Sequence, residues 1–164
     1  MPAKSIQSKR RELQAFTLTE LVFTVAIVSI LSAIAIPSFF SQLLATRQRG
    51  CAATLSMVMT STMLFNDEFA TSPKHWADLH TMSPILTSTG TAANIKNFNP
   101  ITLRNNEYRF LANVTNPIYI YTCDATDSST SDYNAIGCVN IDTDATDIAL
   151  GRGDAPATSA NCDD

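Results

Sequence analysis

The chain has 164 residues, room for one domain or two small ones, with an ordinary 45% apolar share and a formal net charge of −4. That charge is unevenly spread: residues 1–15 carry Lys4, Lys9, Arg10 and Arg11 against Glu12, whereas from residue 121 onward nine Asp face a single Arg. Phosphate contacts need Lys and Arg, so this acidic C-terminal part is a poor non-specific nucleic-acid binder, and no nucleic-acid partner is expected.

After the basic stretch, residues 21–40 read LVFTVAIVSILSAIAIPSFF, without a charge. Roughly 20 apolar residues span a bilayer core, so this segment has membrane length. Basic residues preceding such a segment stay in the cytoplasm, which puts the N-terminus inside and the acidic part outside. A helix is expected from near Phe16 to about Asn66, interrupted only by Pro37, where a backbone donor is lost. Beyond residue 40 the helix turns amphipathic. Leu44, Cys51, Leu55, Val58 and Phe65 share one face, with Arg47, Arg49, Ser56 and Ser61 largely elsewhere.

Residues 67–106 read as loop, with a short helix at Pro73–Leu79 capped by Ser72. Strands follow. Tyr108, Phe110, Ala112 and Val114 alternate with more polar neighbours, Asn116-Pro117 signals a turn, and Ile118–Cys123 returns as the second arm of a hairpin. A third strand fits Ile136–Ile141 and a fourth Asp147–Leu150, with residues 151–164 irregular. One long helix, a loop and an antiparallel sheet make an α+β fold. The expected divisions are residues 1–15, 16–40 and 41–164.

All four cysteines, Cys51, Cys123, Cys138 and Cys162, follow the apolar segment, and an even count in an exported region predicts two disulfides. None is spaced as C-x-x-C, which removes the zinc and thioredoxin readings. Cys123 and Cys138 lie near each other in successive strands, so the spacing favours Cys123–Cys138, leaving Cys51–Cys162. The alternative joins Cys138 to Cys162 and Cys51 to Cys123.

The most specific stretch is Gln14-Ala15-Phe16-Thr17-Leu18-Thr19-Glu20-Leu21, followed by the apolar run and Ile36-Pro37. It resembles the signal of type IV prepilins, over about residues 9–40. The resemblance implies that a membrane peptidase cuts between Ala15 and Phe16 and methylates the new Phe16 amine. Glu20 becomes the fifth residue of the mature chain, and Pro37 matches the family's helix-breaking proline, a kink. Two positions depart from the family: Ala15 stands where it has Gly before the cut, and Ser29 replaces a Gly midway along the helix. The resemblance further implies a structural subunit, major or minor, of a pilus filament, with no catalysis and no cofactor. Its implied partners are copies of itself or other pilins, the prepilin peptidase, an inner-membrane assembly platform with a cytoplasmic ATPase, and the membrane. Type IV pilins similarly bound a surface loop with a late disulfide. The subunit would wait in the inner membrane and end in an extracellular filament or, as a type II secretion pseudopilin, in a periplasmic one. Adhesion, twitching, DNA uptake and secretion are all roles of such filaments.

Glu20 has a physical argument of its own. A carboxylate at the edge of an apolar span is unfavourable unless a cation sits at the same depth. The freed Phe16 amine of a neighbouring subunit would supply one, and the pair would set the axial register of stacked helices. Rival readings are an ordinary secretory signal cut after Ala33-Ile34-Ala35, and a non-polymerising, membrane-tethered periplasmic binding domain.

Weaker signals remain. Asp142, Asp144 and Asp147 offer oxygen ligands for calcium, which type II pseudopilins carry in this general region. The central Gly and closing Glu of an EF-hand loop are missing, however, so a solvated acidic face is the better reading and no metal is expected. His75 and His80 fall on different helix faces, and Trp76 reads as core. Arg152-Gly153-Asp154 reads RGD, but a three-residue match arises easily by chance and a flexible acidic tail explains it, and the sequon Asn113-Val114-Thr115 falls within a strand. No phosphate loop, carboxylate pair or nucleophile–base arrangement is present.

Overall fold

The computed structural model describes residues 16–104 and 107–162. These form two units, divided between Phe39 and Phe40. Helix α1 (Leu18–Phe69) begins in the first and ends in the second.

In the first unit α1 is apolar all round and its side chains lie open, from Leu21 and Phe23 through Ile34 to Phe39. By length and composition it is long and apolar enough to cross a membrane. Hydroxyls on this stretch turn back to the helix: Thr24 donates to the Leu21 carbonyl at 2.9 Å and Ser29 to that of Val25 at 2.7 Å. That leaves no free hydroxyl donor at either position. The helix continues through Pro37, whose ring removes the N–H that would bond the Ala33 carbonyl.

In the second unit α1 buries Gln48, Cys51, Leu55, Val58, Met59, Ser61 and Thr62. The expected stripe is right at its centre and narrower at its ends, since Leu44 and Phe65 are only half-buried. Ser61 was expected on the polar side but is buried, because its hydroxyl donates to the Met57 carbonyl at 2.8 Å and needs no water. Helix α2 (Trp76–Met82) starts later than the sequence indicates, with His75 at the N-cap instead of Ser72. The Asp78 carboxylate accepts the Lys74 N–H at 2.7 Å and the His75 N–H at 3.2 Å, which fixes the start.

Two sheets then form. Strands β1 (Leu86–Thr87) and β2 (Gly90–Thr91) make a small hairpin. Strands β3 (Ile101–Thr102), β4 (Tyr108–Thr115), β5 (Ile118–Ala125), β6 (Ala135–Asn140) and β7 (Thr146–Leu150) make an antiparallel sheet whose spatial order is their chain order. The two-residue strands β1, β2 and β3 are not evident in the sequence. The expected inward row on β4 holds only at its start: Tyr108 and Phe110 are buried, Ala112 half-buried and Val114 exposed.

The core lies between α1 and one sheet face. Trp76, fully buried, meets Phe98, Tyr121 and Phe110 at ring distances of 5.3, 6.0 and 6.4 Å. At Gly137 of β6 helix side chains fill the space above the strand: a Cβ there would overlap the Leu55 side chain and lie 2.6 Å from the Met59 sulfur. Every residue of β6 is buried, so both faces of this strand are covered.

The disulfides are Cys51–Cys123 and Cys138–Cys162, correcting the pairing that spacing favoured. The reason is the pleat. Cys123 pairs with Ala135, and Tyr121 with Gly137, so all four share the helix-facing side. Cys138 pairs with Ile120 and lies on the opposite side. Cys123 and Cys138 therefore point apart, and Cys123 reaches across to Cys51 on α1. Cys138 takes Cys162 from the C-terminal segment, which covers the far face. There the Asn140 amide donates to the Cys162 carbonyl at 3.3 Å, and the Asn161 N–H donates to Asp147 at 2.9 Å.

Candidate functional site

The start of α1 is built by Thr17 and Glu20. Thr17, just before the first helical residue, donates its backbone N–H to Glu20 Oε2 at 3.0 Å and its hydroxyl to the same oxygen at 2.9 Å. In return the Glu20 N–H donates to Thr17 Oγ1 at 3.2 Å. This reciprocal capping box satisfies two otherwise orphaned donors and places a carboxylate where the helix dipole favours one. Thr17 is the site residue that sequence reasoning missed. Its signal was present as Thr-x-x-Glu directly before an apolar run. Glu20 thus has a partner within its own chain at the mouth of an oily helix. Phe16, one residue before the cap, is 82% exposed. Ala15 and the expected basic leader, residues 1–15, lie outside the described residues.

The second unit, the head, offers little chemistry. Arg47 and Glu107 form an ion pair at 3.1 Å beside a shallow cleft of about 420 Å³, lined by Thr54, Met57, Leu103, Arg104 and Tyr108 among others. Among the described residues no three His, Cys, Asp or Glu side chains gather closely enough to hold a metal ion. Asp142, Asp144 and Asp147 are therefore not brought together as a calcium site. Asp147 is engaged with Asn161, and the Asp142 N–H donates to Asn140 Oδ1 at 3.0 Å. His75 Nδ1 lies 3.0 Å from Asp78 Oδ2 at the α2 cap, while His80 Nδ1 accepts the Ile85 N–H at 2.9 Å. The two imidazoles serve separate structural contacts. Asn113 is exposed within β4, and Arg152 and Asp154 are exposed beyond β7.

Asp127 caps the 3₁₀ turn Ser128–Tyr133, where its carboxylate accepts the Ser129 N–H at 2.9 Å and hydroxyl at 2.8 Å. These bonds favour its ionised form and hold its pKa below the usual carboxylate range. Buried tyrosines shift the other way: desolvation raises the pKa of Tyr121 strongly, and those of Tyr108 and Tyr119 in the same sense.

Compared with known proteins, the chain matches no protein-family model, no curated protein and no solved structure.

Proposed function

We propose that this chain is a structural subunit of a type IV pilus filament, trimmed before Phe16 and polymerised through the first half of α1. The observation that carries the reading is a helical stretch of membrane length, without a charge over residues 21–40 and with side chains not buried within the chain, opened by Phe16, the Thr17 cap and Glu20. Such a helix needs an apolar environment. Lipid supplies it before assembly and neighbouring helices supply it afterwards; the two are similarly apolar, so transfer between them is not prohibitive.

Glu20 then acts twice. In the separate subunit its carboxylate is held by Thr17. In the filament the methylated amine on Phe16 of the next subunit would join it, and a slip in register would strand a charge in hydrocarbon. The late Cys138–Cys162 bond, which ties down the C-terminal segment, favours a pilus subunit over a type II secretion pseudopilin. The prepilin peptidase, the assembly platform and its ATPase are the partners this reading requires, along with an inner-membrane pool and an extracellular filament.

Mass spectrometry of the protein from filaments sheared off its native host tests the processing step. The expected chain begins at N-methylated Phe16; one beginning at Met1, or after Ala35, overturns the proposal. For the register, Glu20→Gln and Glu20→Asp should both reach the membrane, and Glu20→Gln should fail to yield filaments. Normal assembly of Glu20→Gln would refute the charge pairing.

A further inference from the structure

The tripeptide Arg152-Gly153-Asp154 occupies a built turn. Gly153 has φ +83°, a conformation that side chains rarely adopt, and a Cβ at this position would lie 2.7 Å from the Tyr133 hydroxyl oxygen. Only glycine fits this apex. Its N–H donates to the Asp132 carbonyl at 3.3 Å, and the Arg152 N–H to that of Ala155 at 2.9 Å. Both shoulders are fastened. The buried Gln48 amide donates to the Gly151 carbonyl at 2.7 Å, while the Asn134 side chain exchanges two hydrogen bonds with the Ala157 backbone, at 2.9 and 2.7 Å. The Cys138–Cys162 bond closes the segment. Arg152 and Asp154 are exposed, and neither forms an ion pair among the described residues.

We propose that this turn is a docking site for a cell-surface receptor that reads Arg-Gly-Asp through a bound divalent cation. A fixed turn bearing a cation and an anion that have no ion-pair partner among the described residues suits a partner offering both signs: a carboxylate to grip the guanidinium in bidentate fashion, and an incompletely coordinated cation to take the Asp154 carboxylate. Lipid headgroups and nucleic acid present mainly negative charge. The surrounding chain, with nine Asp and only Arg152 as a base from residue 121 onward, repels such surfaces. Because the loop is tied down before binding, little conformational freedom is lost on docking. The proposal needs the head to face outward but does not depend on polymerisation.

The test uses the full chain in nonionic detergent micelles over an immobilised ectodomain of an Arg-Gly-Asp-dependent integrin, in Mn²⁺. Saturable binding is expected, abolished by EDTA and displaced by a soluble Arg-Gly-Asp peptide. Asp154→Glu keeps the charge at an exposed position and should weaken binding on the order of a hundredfold, whereas Asp142→Glu should leave it unchanged. Absence of binding in Mn²⁺, or binding that survives EDTA or Asp154→Glu, overturns the proposal. Filament formation by Asp154→Glu reports separately on the pilus reading.

Discussion

Tyr121 is fully buried, with its hydroxyl 2.7 Å from that of Thr62, which itself donates to the Val58 carbonyl. The tyrosine is therefore the donor, and it must be protonated to donate. Its pKa is raised, chiefly by burial, so its stabilisation is complete below the unfolded value near ~10 and is lost as pH rises above it. Tyr108 and Tyr119 act in the same direction. Urea unfolding followed by the single, buried Trp76 should show stability falling above about pH 10. Tyr121→Phe should lower stability by about 1 kcal/mol at neutral pH and blunt the alkaline loss; an unchanged alkaline profile would contradict the assignment. At this scale Glu20 was legible because a lone carboxylate beside an apolar run stands out. Its partner Thr17 was written just as openly but is ordinary in composition, and only the capping geometry reveals its role.

Helix α1 and strand β6 meet where Leu55 lies over Gly137. The helix contributes a large side chain and the strand none, so the Leu55 side chain fills the space above Gly137. Gly137→Ala should lower stability by about 1–3 kcal/mol through overpacking, and Leu55→Ala by about 2–5 kcal/mol through the void it leaves. Since the added methyl would enter that void, the double variant should be less destabilised than the sum of the two singles. Strict additivity in denaturant titrations would show that the contact is not shared. Period 3.6 in α1, the alternation at Tyr108–Val114 and the Asn116-Pro117 turn made the helix and the β4–β5 hairpin readable. Strands β1, β2 and β3 are two residues long, too short to display any period, and form only where a partner strand supplies hydrogen bonds. The shift of the α2 start from Ser72 to His75 has a similar origin, because Asp78 rather than the residue before Pro73 satisfies the first donors.

Two covalent bonds tie the head together from opposite sides of the sheet. Cys51–Cys123 fastens α1 to β5 across 72 positions, and Cys138–Cys162 fastens the C-terminal segment to β6 across 24. Chain-entropy arguments assign them about 4 and about 3 kcal/mol respectively, so replacing Cys51 and Cys123 with Ser should destabilise the head more than replacing the other pair. Non-reducing digestion at Asp124, Asp127 and Asp132 separates Cys123 from Cys138 and exposes the pairing directly. The expected cross-linked peptides join Cys51 to Cys123 and Cys138 to Cys162; a Cys123–Cys138 peptide would contradict this architecture.

The chain's own letters determined the α+β order, the extent of the long helix, the four longer strands and the apolar first half of α1, because each rests on a pattern repeated over many neighbouring residues. Tertiary structure alone decided which cysteines meet, which faces of β6 are covered, and that Arg152-Gly153-Asp154 stands on a fastened turn instead of in a loose tail. Those outcomes depend on which side of a pleat a residue occupies and on partners far away in the chain, such as Gln48 beneath Gly151. Local spacing carries no record of such long-range pairings.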